Sequence, residues 1–511
     1  MTVVPPLTFG TAGLRGPMRD GSDGMNVPNV LRASWAVARV LADRGRSGGT
    51  VVVGRDARHN SDEFAMAAAE VFAAHGFPVI LLPRPLPTPV LAFAVRRLDA
   101  AAGVQITASH NPATDNGYKL YFDGGIQIVS PTDREIEAAM AAAPPADRIA
   151  RGPVAASGAH LVDEYVTRAA GLRRGSGRLR IALTPLHGVG GELATTVLRR
   201  AGFTDLHTVA TQFDPDPDFP TVAFPNPEEP GATDALLTLA ADVGADVAIA
   251  LDPDADRCAV GIPDADGWRM LSGNETGWLL GDFLLSRLSN EEARTAVVAS
   301  SIVSSQLLAD IAADYGARHV ETLTGFKWLA RADDAVDGST LVDGSTLVYA
   351  YEEAIGHCVD PGAVRDKDGI SAAVVFGDLV AALARRGSSV PEALDELARR
   401  YGVHITSSVR ARVDDARAVM TRLRAAPPRQ IAGVAVNVAD LADRADALIF
   451  SGSGLRVAVR PSGTEPKIKC YIEIRRPQDE SGTQGVTAAA VLQQSVAAEM
   501  SALLSSPAPR P

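Results

Sequence analysis

Three short stretches hold the residues whose types and spacing can do chemistry. The first, Thr107-Ala108-Ser109-His110-Asn111-Pro112, places a serine directly after the apolar run Ala101-Ala102-Gly103-Val104-Gln105-Ile106. That run reads as a buried strand, so Ser109 sits at a strand's carboxyl end, where open α/β sheets bind ligands. A Ser-His pair invites a nucleophile-and-base reading. Neighbours on an extended chain point to opposite faces, however, which leaves His110 badly placed to act as base for Ser109. Taken alone, the tetrapeptide is a turn with Asn-Pro punctuation.

The second stretch, Asp252-Pro253-Asp254-Ala255-Asp256-Arg257, follows the apolar run Val247 to Leu251. Three carboxylates at alternating positions past a strand can converge on one hard cation, and magnesium suits such oxygens. An EF-hand is excluded, since Arg257 takes the glycine position and Pro263 the bidentate glutamate position. The similar Asp214-Pro-Asp216-Pro-Asp218 lacks a preceding strand and reads as a loop. In the third stretch, Arg460-Pro461-Ser462-Gly463-Thr464-Glu465-Pro466-Lys467 joins the apolar strands Leu455 to Val459 and Ile468 to Ile472. Hydroxyls, unhindered N–H groups and two flanking cations are the parts of a phosphate cradle.

Weaker signals surround these. Phe9 to Gly16 is a glycine-rich loop containing Arg15, and Gly117-Tyr118-Lys119 lies just past Ser109. Tyr351-Glu352-Glu353-Ala354-Ile355-Gly356 follows a strand and can present a carboxylate to sugar hydroxyls. Arg365 to Gly369 mixes charges around Lys367, and Thr324-Gly325-Phe326-Lys327-Trp328 sets one cation between two aromatics that serve packing more often than stacking.

The elements that position these groups alternate short Val/Ile/Leu/Ala strands with Ala-rich amphipathic segments, the pattern of sheets covered by helices. Strands are expected at Thr50 to Val53, Pro78 to Leu82, Val104 to Ile106, Arg180 to Leu183, Val247 to Leu251, Ala296 to Ser300 and Thr346 to Tyr351. Helices are expected at Asn29 to Ala42, Ser61 to Ala74, Asp133 to Ala143, Gly191 to Ala201, Gly277 to Leu288 and Ser304 to Tyr315. Boundaries near Arg173 to Arg178, Asn290 to Arg294 and Arg399 to His404 divide the chain. They give three α/β units (1–176, 177–292, 293–402), a shorter α+β unit (403–504) and a disordered tail (505–511). The tandem hexapeptides from Asp337 to Val348 read as a lengthened loop, too short to stack as a solenoid.

Composition sets limits. The 511 residues are 46% hydrophobic and 22% charged, ordinary for a globular enzyme. A net charge of −12 argues against nucleic acid or an anionic membrane as partner. Cys258, Cys358 and Cys470 are too few and scattered for a disulfide framework or a zinc site. With no signal peptide and no transmembrane run, a cytoplasmic protein is expected.

Together, and in this order, Thr-Ala-Ser-His-Asn-Pro, Asp-x-Asp-x-Asp-Arg and Arg-x-Ser-Gly-Thr-x-Pro resemble the α-D-phosphohexomutase superfamily. The resemblance runs from Phe9 to about Ile474. It implies four domains around a central cleft, three similar α/β domains with mixed, mostly parallel sheets and a smaller α+β C-terminal domain. It implies Ser109 as a phosphoserine that gives its phosphoryl group to the substrate and recovers one. Asp252, Asp254 and Asp256 would bind Mg²⁺ with the phosphate on Ser109. Arg15 and Lys119 would assist proton transfer, with His110 and Arg257 lining the same place. Thr324, Gly325 and Lys327 resemble a substrate-selecting loop, Glu352 and Glu353 a sugar-binding loop, and Lys367 a cationic contact. Arg460, Ser462, Gly463, Thr464 and Lys467 would hold the phosphate that is not being transferred.

The implied reaction moves phosphate between C1 and C6 of glucose or mannose, with a sugar bisphosphate such as glucose 1,6-bisphosphate as activator, in a monomer or homodimer. One departure stands out: the hexose mutases carry Glu-x-Ser in the sugar loop, and the serine position here is Ala354. With Thr-Gly-Phe-Lys-Trp, this looks more like the branch containing phosphopentomutases, so transfer between C1 and C5 of ribose or deoxyribose is the alternative.

Overall fold

The computed structural model describes residues 6–10, 13–334, 344–462, 467–480 and 482–505. The first hexapeptide repeat, Gly463, Thr464 and nearly all of the expected tail lie outside the described residues.

Three sheets share one plan. In the first, β1 (Leu14–Pro17), β2 (Val51–Arg55), β3 (Val79–Leu81), β4 (Ala102–Ile106), β5 (Asp115–Phe122) and β6 (Ile126–Gln127) are ordered β1-β5-β4-β2-β3, with β6 on β5. The second, β7 (Arg180–Thr184), β8 (Asp205–Thr208), β9 (Val247–Leu251), β10 (Cys258–Asp264) and β11 (Gly267–Met270), runs β11-β10-β9-β7-β8. The third, β12 (Ala296–Ser301), β13 (Arg318–Thr322), β14 (Thr346–Glu352) and β15 (Gly356–Cys358), runs β13-β12-β14-β15. Each has three parallel strands at its heart, β3-β2-β4, β8-β7-β9 and β13-β12-β14, and a hairpin partner added antiparallel. The central strand β9 is apolar along its whole length, with all five residues buried, because helices cover both faces, whereas the outer strands β8 and β13 carry polar, partly exposed residues.

The fourth sheet is wholly antiparallel: β16 (Val403–Arg412), β21 (Lys467–Arg476), β20 (Leu455–Pro461), β19 (Leu448–Gly452), β18 (Val434–Asp440) and β17 (Gln430–Ile431). It has its own core around Phe450, Val457 and Ile472.

A larger core is continuous through the first three units, from Leu91 through Leu251 to Phe376. The helix Gly369–Arg385 explains how. Its sequence is apolar nearly all round, so it has no wet face and must be buried. It packs on the helices Ala159–Ala170 and Gly190–Arg200 and on β9, β10 and β15. Asp368 caps it, accepting from Ser371 N at 2.9 Å and from Tyr165 OH at 2.8 Å.

Expected elements recur with small shifts. Ser61–Ala74 and β9 have the expected ends, while the helix expected from Ser304 begins at Leu307: Ser301 and Ser304 bond each other and donate to Glu353, and Ser305 donates to Glu473. The boundary expected at Asn290 to Arg294 is a short helix, Asn290–Thr295, capped by Ser289 and Glu292. The helix Gly273–Leu285, which a limit at 292 assigns to the second unit, packs on Leu307–Tyr315 and β14 of the third.

Candidate active site

Ser109 follows β4 with its backbone in the left-handed region, φ 53°, and its N–H donates to Thr107 Oγ1 at 2.9 Å. The chain is therefore not extended here. His110 does not point away from Ser109, as an extended chain requires: its Nδ1 lies 3.2 Å from Ser109 Oγ. The left-handed turn rotates the two side chains to one side. Burial, then the positive charges of Arg257 and Arg15, hold the His110 pKa well below the ordinary histidine range, so the ring is neutral at pH 7.

Arg58, which carries no motif of its own, builds the loop. Its Nη2 donates to the carbonyls of Ser109 (2.6 Å) and Asn111 (2.5 Å), and its Nη1 to those of Pro112 (2.7 Å) and Asp115 (3.1 Å). A buried Asp56 lies 3.4 Å from its Nε, and Phe219 stacks under the guanidinium at 4.9 Å. Phe219 ends the Asp214 to Asp218 loop, so that acidic segment of the second unit closes over the back of the serine loop.

Across from Ser109, the turn after β9 gathers Asp252, Asp254 and Asp256, all fully buried, with one oxygen of each within 4.8 Å of the others. Ala255 takes φ 52° at the crown, and Gly188 leaves room for Pro253, whose Cα would lie 2.3 Å from any Cβ there. Ser109 Oγ donates to Asp252 Oδ2 at 2.8 Å. Lys119 Nζ, from β5, reaches Asp254 Oδ2 at 2.6 Å and Asp256 Oδ2 at 2.8 Å, and Lys367 Nζ lies 3.3 Å from the same Asp256 oxygen. Thr88 Oγ1 donates to Asp254 Oδ2 at 2.5 Å.

Burial works to lower the Lys119 pKa, but Asp254 and Asp256 outweigh it and leave it raised. Burial, and then the negative charge of Asp254 and Asp256, hold Asp252 well above the usual carboxylate range. Asp254 Oδ1 and Asp256 Oδ1 are buried without a hydrogen-bond partner. Unsatisfied anionic oxygens are costly, and a cation held by all three carboxylates satisfies them. The donor set fits a hard divalent metal.

Arg15 stands on β1 with Nη1 donating to Asn111 Oδ1 at 2.9 Å, and burial lowers its pKa to about 10. Arg257 reaches Asp256 Oδ1 at 3.8 Å. The loop after β14 is sewn to the aspartate turn: Arg257 bridges Gly356, Cys258 N donates to Ile355 O at 3.1 Å, and Gly369 N to Ala255 O at 3.1 Å. Gly356 has no side chain because a Cβ would meet Lys367 Cδ at 2.4 Å and Glu352 Cγ at 3.0 Å. Glu352 is therefore packed against Lys367, and burial raises its pKa against the pull of Lys367 and Arg257. Lys367 is oriented by Asp366, which Tyr121 and Gln127 of the first unit hold at 2.7 and 2.8 Å.

The remaining expected residues lie further out. Glu353 turns from Glu352 to accept from Ser301 and Ser304, each at 3.0 Å. With Ala354, Glu228, Lys469 and Tyr471 it lines a cavity of about 530 Å³ whose lining includes neither Ser109 nor the aspartates. In the third unit's loop, Thr324 Oγ1 is buried without a partner and Gly325 takes φ 114°. Phe326 is buried in the core, and Lys327 Nζ lies 3.5 Å from Gly10 O. Arg460 is the next-to-last residue of β20, and Ser462 N donates to Lys467 O at 2.8 Å.

Arg58, Thr88, Glu228 and Lys469 escaped the sequence reading. Only Arg58 had a visible signal, as the second arginine of Arg55-Asp56-Ala57-Arg58 at the end of β2.

Four domain models match in succession. They are the phosphoglucomutase/phosphomannomutase alpha/beta/alpha domains I (residues 6–146), II (163–265) and III (272–401) and the C-terminal domain (409–484). The chain belongs to the phosphoglucomutase/phosphomannomutase family, whose members are phosphomutases and hence isomerases. It is 42% identical to a probable phosphomannomutase of Haemophilus influenzae over 88% of this chain and 93% of that protein. It is 34% identical to a probable phosphoribomutase of Schizosaccharomyces pombe over 94% of this chain and 89% of the other. A phosphoglucomutase/phosphomannomutase family protein of Burkholderia thailandensis has the same fold, with a TM-score of 0.74 at 20% identity and 98% of each chain covered. Among the described residues no helix is long and apolar enough to cross a membrane.

Proposed function

We propose that this enzyme moves a phosphoryl group between C1 and C6 of a glucose or mannose phosphate through a phosphoserine at Ser109 and a bisphosphorylated sugar. The observation that carries this is the 2.8 Å approach of Ser109 Oγ to Asp252 within the buried three-carboxylate cluster. Asp252, Asp254 and Asp256 are the residues to hold Mg²⁺, which when bound neutralises charge on the transferring phosphoryl oxygens.

The chain's own groups divide the remaining work. Arg58 fixes the Ser109 backbone, so the nucleophile is held in line rather than searching for its angle. Lys119 carries positive charge to the same oxygens, and Arg15 and neutral His110 lie where the hydroxyl proton must leave or return. Glu352 accepts from sugar hydroxyls, with Lys367 and Arg257 setting its charge. At the far side, Arg460, Ser462, Gly463, Thr464 and Lys467 grip the resting phosphate. The bisphosphate then turns and presents its other end, so one cradle serves both orientations and a sugar bisphosphate primes the cycle. Thr324, Gly325, Lys327 and Glu353 shape the sugar's surroundings.

A second reading, transfer between C1 and C5 of ribose or deoxyribose, is favoured by Ala354, which removes a hydroxyl from the sugar loop, and by the likeness to a probable phosphoribomutase. Parallel assays of glucose, mannose and ribose 1-phosphates with catalytic bisphosphate separate the two. Turnover of ribose 1-phosphate far above both hexoses would displace the first reading.

A further inference from the structure

Three cations stand abreast on the fourth sheet. Arg410 on β16 is in direct register with Lys469 on β21, and Lys469 with Arg460 on β20. Residues paired in this way project from one face of an antiparallel sheet with Cβ atoms about 5 Å apart, and like charges so placed repel. Among the described residues no carboxylate forms an ion pair with Lys469 or Arg460. Burial, then Arg460 and Arg410, lower the Lys469 pKa.

Among the described residues Arg410 alone of the three forms an ion pair with a carboxylate, and that carboxylate belongs to another unit. Its Nη1 donates to Glu229 Oε1 at 2.9 Å, with the two side chains 40% and 33% exposed. Both residues line the 530 Å³ cavity together with Lys469 and Glu353 of the sugar loop. A guanidinium fork accepts carboxylate and phosphate with the same planar geometry. An incoming phosphate can therefore replace the Glu229 carboxylate on Arg410 and relieve the repulsion along the row, while Glu229 returns to solvent.

We propose that Arg410 is a further binding residue for the phosphate that is not being transferred, and that Glu229 is its partner only until that phosphate arrives. This rests on the reading of the Arg460 loop as a phosphate cradle. Because a bisphosphate offers a phosphate to the cradle in either orientation, Arg410 acts on binding of every phosphosugar and not on the choice between them.

The test uses full-length Ser109→Ala protein, which cannot turn over, titrated calorimetrically with glucose 1,6-bisphosphate and Mg²⁺. Adding Arg410→Ala is expected to weaken binding about tenfold, as for loss of one charge-assisted hydrogen bond, and Arg410→Lys to recover part of it. Glu229→Gln is expected to tighten binding about threefold, because an exposed competing pair of modest strength is removed. Unchanged affinity in Arg410→Ala would overturn the proposal. So would Glu229→Gln weakening binding as much as Arg410→Ala does, which would make the pair a clamp between units. Arg460→Ala is the reference: if it has no effect, or the parent binds no bisphosphate, the cradle reading itself falls and takes the proposal with it.

Discussion

Ser109 Oγ and Asp252 Oδ2 meet at 2.8 Å across the joint between the first and second units. Ser109 and the carboxylates that face it thus come from separate sheets, and their relative position depends on what joins those sheets. The joint is charged and buried: Lys119 and Thr88 of the first unit both bond Asp254 of the second. The continuous apolar core and the helix Gly369–Arg385 keep that joint dry, which raises the strength of each electrostatic contact within it.

Arg58 is expected to act on rate through the serine loop. Arg58→Lys keeps the charge but loses the fork that holds four carbonyls, so kcat should fall about 10- to 100-fold with KM little changed. Steady-state kinetics check this. An unchanged kcat would show that the loop keeps its shape without the fork.

Removing Lys119 leaves the aspartate cluster short of positive charge. Lys119→Met should lower unfolding stability by about 3 kcal/mol in metal-free buffer, and added Mg²⁺ should restore part of it. Denaturant titration with and without the ion measures both. In the parent, chelation should abolish turnover and Mg²⁺ should restore it.

Asp368 makes a pH signature. Burial pushes its carboxyl from 3.8 up to about 6, against hydrogen bonds from Ser371 and Tyr165. Between those two values the folded protein binds more protons than the unfolded chain. Its contribution to stability therefore falls as pH rises from about 4 to about 6 and is level above, by up to about 3 kcal/mol for a two-unit shift. Asp368→Asn keeps the helix cap and should remove that slope. Denaturation midpoints of parent and variant across pH 4 to 7 compare the two slopes, and equal slopes would contradict the assignment.

Ala354 lines the cavity beside Glu353 and Ile355. Ala354→Ser should raise hexose kcat/KM relative to ribose 1-phosphate about fivefold, the worth of one hydrogen bond of about 1 kcal/mol. A ratio that does not move would place the sugar elsewhere.

Much of this is legible in the sequence, for identifiable reasons. β9 and the aspartate turn were readable because a buried parallel strand is apolar throughout and its end is abruptly charged. The same contrast marks β4 and Ser109. What escaped notice acts through space. Arg58 reaches its carbonyl partners from more than fifty positions away, and the partners of Asp366, Tyr121 and Gln127, come from another sheet. The error over His110 was conformational: alternation of side chains holds for extended backbone, and a non-glycine residue at φ 53° breaks it. Such strain collects at functional loops and leaves no mark in a serine's identity.

Intact-mass measurement of the enzyme before and after adding substrate tests the central claim most directly. Protein charged with glucose 1,6-bisphosphate should carry one phosphoryl group, located to Ser109, and should lose it to glucose 1-phosphate as the bisphosphate forms. Ser109→Ala should never carry it and should have no mutase turnover. A Ser109→Ala protein that still interconverts phosphosugars, or a parent that turns over without ever being phosphorylated, would contradict the account.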